Sequence, residues 1–218
     1  MKPDYERAAL AATEILIKHG ISSAPVSPIP ILKHTPGVLV VSYQALSDDV
    51  EKDRRCVIPM FGNNHDAFTT VSVKDGKPRW IVTYNQLLPA FLVHRSLARE
   101  LGHIVLGHDG SSPEDVRQQE AIAFANHLLC PRPLLHMVQS SGLRLTVEVL
   151  GNLTGCYDHC LSCMRRIPAV HVPPELNRIV RDNFAPYFLN FFEYQRAAAH
   201  DDGSALADFG SYMEGYEE

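Results

Sequence analysis

The apolar positions of the chain change period along its length. Ala8, Ala11, Ala12, Ile15 and Leu16 recur at helical spacing and stop at Gly20, which predicts a first helix. Pro25, Pro28 and Pro30 then predict an extended connector. Between residues 38 and 85 the pattern turns to β. Val38 to Val41 is a short β-branched run, and Phe68 to Val73 and Trp80 to Tyr84 flank Lys74-Asp75-Gly76-Lys77. The Asp-Gly pair there is a strong hairpin signal, so a small antiparallel sheet is expected over residues 38–85.

From Pro89 onward the period is helical. Leu97, Leu101, Ile104 and Val105 form one stripe that Gly107 can end, predicting a helix over 97–106. Asp109 to Pro113 reads as a turn. Glu120, Ala121, Phe124, Ala125, Leu128 and Leu129 mark a second helix that stops before Pro131. Thr146 to Leu153 and Cys156 to Ile167 predict two more helices around Gly155, and a longer amphipathic one runs from Pro174 to about Ala199. The acidic, glycine-containing residues 201–218 are expected to be a mobile tail.

With 218 residues, 45% hydrophobic and 21% charged, the composition is that of an ordinary folded protein. The net charge is −5 with Lys and Arg scattered, so direct nucleic-acid binding is not expected. No apolar run approaches the ~18 residues of a membrane span, and the opening residues do not read as a signal peptide. A cytoplasmic location is therefore expected. Cys56, Cys130, Cys156, Cys160 and Cys163 are odd in number and three crowd together, which is no disulfide framework.

Candidate chemistry lies in Arg99-Glu100-Leu101-Gly102-His103. A zincin places two histidines one helical turn apart so that both imidazoles meet one metal. A glutamate beside them takes a proton from metal-bound water. Here the base position (Glu100) and the second histidine (His103) are present, but the first ligand position holds Arg99, which stays protonated and offers no lone pair. His108 is a further candidate ligand. It would lie about 140° round a continuing helix from His103, so it comes into play only if Gly107 breaks that helix.

Residues 97–108 are followed by Glu120-Ala121-x-x-Phe124-Ala125-x-x-Leu128-Leu129-x-Pro131. Together these segments resemble the ImmA/IrrE family of metallopeptidase-like proteins, whose helix carries Ala-His-Glu-Leu-Gly-His. The element order resembles the family over roughly residues 5–165, and the specific motifs cover 97–131. The resemblance implies an α+β, zincin-like fold with a small antiparallel sheet packed on helices. It further implies metal-ligand positions at His103 and Glu120, a general-base position at Glu100, and zinc as cofactor. Arg99 departs from the pattern, as do His94 and Arg95, where Arg-Phe is usual. The expected layout is a family-like domain over 1–170, a helical extension over 171–200, and the tail.

Three functions compete. One is a zinc endopeptidase cleaving a repressor-like protein, with Glu100 as base. Another is a non-catalytic module of the same fold that holds a protein or peptide partner. The resemblance implies a helix-turn-helix repressor as one such partner. The third is a structural zinc protein using Cys156, Cys160 and Cys163, whose spacing also suits an ordinary buried helix face. The degenerate, partner-binding reading is preferred because Arg99 would repel zinc and pair with Glu120 or Glu100. Residues 146–167 suggest a helix-turn-helix without a basic recognition face, and read as structural.

Overall fold

A computed structural model of the chain describes residues 2–45, 67–74, 76–155, 160–166 and 169–200. The chain divides into two compact units, one of Met1–Asp4 with Ser27–Ala125 and the other of Tyr5–Val26 with Asn126–Glu218. The boundary expected at residue 170 falls within the second unit. Cys56, Asp75, Cys156 and the expected tail over 201–218 lie outside the described residues.

In the first unit, a short helix α2 (Pro28–Lys33) precedes strand β1 (Val38–Ser42), strands β2 (Ala67–Lys74) and β3 (Lys77–Tyr84), and helix α3 (Ala90–Val105). Residues 28–33 are helical where the prolines predict an extended connector. Pro28 occupies the first turn, where the missing N–H would have had no intrahelical partner and the fixed φ suits a helix. The β2–β3 hairpin forms as the Asp-Gly signal predicts. Lys74 pairs with Lys77, and Gly76 adopts φ +70°, a conformation that glycine adopts without steric cost.

The expected all-antiparallel sheet is corrected to a mixed one. Its order is β1-β3-β2, and β1 runs parallel to β3, with Val38 opposite Trp80 and Ser42 opposite Tyr84. A two-residue turn dictates antiparallel pairing for its own strands. The direction of β1 depends instead on the path between β1 and β2, which no local pattern reports.

Helix α3 packs on β2 and β3, and α2 packs on α3 and β1. Val82, Leu97 and Leu101 are fully buried, whereas Ile104 and Val105 are half-buried. Helix α4 (Glu114–Leu129) crosses α3 where Gly102 faces Ala121 and Phe124. A Cβ on Gly102 would stand 3.0 Å from Phe124 Cδ1 and 3.2 Å from the Ala121 carbonyl oxygen. Gly102→Ala is therefore expected to overpack this crossing and cost about 1–3 kcal/mol. Chemical denaturation measures it, and an unchanged midpoint would show that the crossing has slack.

The second unit is helical in its described residues. Helices α1 (Tyr5–Lys18), α5 (Arg132–Ser140), α6 (Val147–Thr154), α7 (Cys160–Arg166) and α8 (Pro174–His200) build it. Val180, Phe184, Phe188 and Phe191 place a buried stripe along α8 at helical spacing, and α1 and α5 pack on that helix. Thr146 caps α6 by accepting from the Val149 N–H at 3.1 Å. Gly155 ends α6 at φ +70°, with its would-be Cβ 2.8 Å from Pro25, so no larger residue fits there without strain. Cys130, Cys160 and Cys163 are buried and outside any disulfide. No described helix is long and apolar enough to cross a membrane.

His127, on the part of α4 that belongs to this unit, is 4% exposed. Burial, and then the charge of Arg132, push its imidazole down to about 4. Between about pH 6.5 and 4 the unfolded chain thus binds a proton that the folded chain does not. Stability is full above 6.5 and falls as the pH drops through this window. At roughly 1.4 kcal/mol for each pH unit of that window, the loss approaches about 3 kcal/mol. Denaturation of the protein and of His127→Gln from pH 7 to 4 tests this. A slope equal in both would show that His127 is not the group responsible.

Candidate functional site

On α3, Glu100 and His103 lie three residues apart and share a face. Glu100 is 6% exposed, and both its oxygens are engaged. Thr69 Oγ1, on β2, donates to Oε2 at 2.8 Å. Arg99 donates to Oε1 from Nη2 at 3.0 Å and from Nε at 3.3 Å. Neighbouring helix residues do not ordinarily face each other; the long arginine curls back to meet its neighbour and also donates to the Ala67 carbonyl at 3.3 Å. Arg99 thus pairs with Glu100, one of the two partners expected for it, and tethers the α3 carboxylate to β2.

Gly107 adopts φ +65° and ends the helix, with Leu106 as its C-cap. The chain turns there, and His108 swings back to His103 instead of continuing round the helix. Their Nδ1 atoms are 2.9 Å apart, and Nε2 of His108 stands 3.0 Å from Glu120 Oε2. The other Glu120 oxygen accepts the Asp4 backbone N–H at 2.8 Å. An ionised carboxylate only accepts, so Nε2 of His108 carries a proton. Two arrangements complete the chain: His103 donates through Nδ1 to a neutral His108, or His108 carries both protons and donates each way. In either, both nitrogens of His108 are used.

Burial, followed by the charges of His108 and Arg99, lowers the His103 imidazole to about 4; a hydrogen bond with Gln118 acts in the opposite direction, and Arg117 adds to the lowering. His103 is therefore neutral near pH 7. Arg99, Glu100, His103 and His108 line a cleft of about 730 Å³ together with Phe68, Thr69, Val71 and Trp80 of the sheet and Arg117 and Gln118 of α4. Glu120 is not in that wall and is reached through His108. Among the described residues, β2 is paired only on its β3 side, and Val71 is 57% exposed.

Sequence reasoning does not find Thr69, Gln118 or the Asp4 N–H. A threonine in an alternating strand and a backbone amide near the start of the chain carry no chemical signature of their own. The stop signal at Gly107 is visible in the sequence, and with it the route by which His108 reaches His103.

A zinc site takes three or four protein donors in tetrahedral array. Arg99 supplies none, His108 spends both nitrogens on its neighbours, and both Glu120 oxygens accept from the chain. Among the described residues no group of three or more His, Cys, Asp or Glu side chains is placed to hold a metal ion. The donors as arranged do not fit zinc.

A family model for the IrrE N-terminal-like domain, Peptidase_M78, matches residues 58–149, a span that contains Arg99, Glu100, His103, His108 and Glu120. The match supports a metallopeptidase fold there. No curated protein and no solved structure matches the chain.

Proposed function

We propose that this metallopeptidase-fold protein holds an extended segment of another protein in its cleft and does not hydrolyse it by zinc chemistry. The observation that carries this reading is the closure of the Arg99 guanidinium on Glu100 at 3.0 Å. The residue at the first ligand position brings a fixed positive charge. It also occupies the carboxylate that would otherwise act as base, so that Glu100 serves to join α3 to β2.

The cleft keeps what peptide binding needs. Among the described residues the second edge of β2 is unpaired, so its backbone N–H and C=O groups can take an added strand, whose alternate side chains would face the α3 side of the sheet, where Thr69, Val71 and Trp80 lie. A helix-turn-helix repressor is one partner class implied by the family resemblance. It would have to present such a segment outside its folded core.

Peptides selected from a displayed random library against the full chain test the reading. They are expected to bind equally well with and without excess chelator, to be recovered intact by mass spectrometry, and to bind about ten-fold more weakly to Val71→Asp. Cleavage that a chelator abolishes would overturn the non-hydrolytic reading. Failure to select any peptide that depends on Val71 would overturn the strand-addition mode.

A further inference from the structure

The second unit gathers basic side chains that the sequence spreads from residue 132 to residue 181. Arg132 and His136 stand one turn apart on α5, His171 precedes α8, and Arg178 and Arg181 sit in the opening turns of α8. All five line one cleft of about 370 Å³, and no Asp or Glu is among the described residues that line it. Pro133 and Val172 add an apolar wall.

Arg132 is set in advance of any ligand. Its Nη1 donates to the Val170 carbonyl at 2.9 Å and its Nε to His136 Nε2 at 3.2 Å. These two bonds fix the plane of the guanidinium, and Nη2 has no partner among the described residues. Since Nε2 of His136 accepts, a neutral His136 carries its proton on Nδ1 and presents one more donor. Arg178 makes no ion pair with a described residue. Arg181 meets Asp182 at 3.1 Å with both side chains more than half exposed, a pair weak enough to yield to a better anion. Glu175, one turn before Arg178, is exposed and outside the cleft wall.

We propose that this cleft binds the phosphate group of a small phosphate monoester. Guanidinium forks match a tetrahedral dianion, which offers three terminal oxygens to several donors at once, better than they match a single carboxylate. The cleft lies near the small end of ligand pockets, roughly 300–1,000 Å³, so it suits a compact molecule. A nucleic acid would call for a basic stripe along a surface. Here three guanidinium groups converge on one cavity in a chain of net charge −5.

Calorimetric titration of the full chain at low salt, with inorganic phosphate and with glycerol 3-phosphate, tests the assignment. Both are expected to bind saturably at one site, with affinity falling as salt is raised. Arg178→Ala, an exposed change, is expected to weaken both by about ten-fold or more with the melting temperature unchanged. Arg132→Gln is expected to weaken them at least as much. The proposal is overturned if neither ligand saturates at millimolar concentration, or if binding survives both substitutions. It is also overturned if a phosphoserine peptide or duplex DNA binds here while glycerol 3-phosphate does not. None of these results depends on the α3 cleft.

Discussion

Zinc added to the metal-free protein is expected to bind weakly, and Arg99→His is expected to raise the affinity by orders of magnitude, on the order of a hundred-fold or more. The substitution acts in three ways at once. It removes a cation whose charge already helps to depress the His103 imidazole and which would oppose a divalent ion. It releases Glu100 Oε1 from the two Arg99 donors. It also places an imidazole one helical turn before His103, the spacing at which two side chains reach one ion. Calorimetric titration of both proteins measures the change, with His103→Ala in each as the control. Tight stoichiometric zinc binding by the unsubstituted protein, lost on His103→Ala, would show that Arg99 does not block the site. Weak binding by both proteins would show instead that the His108–Glu120 bond at 3.0 Å holds the donors away from a metal even after the arginine is gone.

His108→Ala is expected to lower stability by about 2–4 kcal/mol, among the larger effects a single substitution produces. The His108 and Glu120 side chains are 5% and 9% exposed, and His108 Nε2 is one of the two donors described for the Glu120 carboxylate, the other being the Asp4 N–H. Truncation leaves a buried acid with half its partners and opens a cavity beside it. Much of the cost therefore belongs to the stranded carboxylate. Glu120→Leu combined with His108→Ala is accordingly expected to cost less than the sum of the two single changes. Urea denaturation of the four proteins closes the cycle. Strict additivity would mean that the two side chains do not stabilise each other and that the contact is incidental.

Much of the α3 site was legible from residues 97–131 because helix geometry is local. A period of 3.6 places Arg99, Glu100 and His103 on neighbouring positions of one helix whatever surrounds it. The same locality made the β2–β3 hairpin readable, since two residues between Lys74 and Lys77 leave the chain few ways to turn. Proline misleads at residues 28–33, where its effect depends on position: a breaker within a helix, it is favoured in the first turn.

What the sequence by itself determined is therefore whatever one element contains: the α3 stripe, the charge of Arg99 one helical turn before His103, and the hairpin. Packing decided what crosses between elements. The direction of β1, the Thr69 and Asp4 donors, the meeting of His108 with Glu120, and the meeting of Arg132 with Arg178 and Arg181 in one cleft all rest on contacts between distant residues. The physical reason is that periodicity encodes which face of a helix or strand is apolar, while the partner of that face, and the polar groups brought along with it, follow only when each element buries its stripe against another.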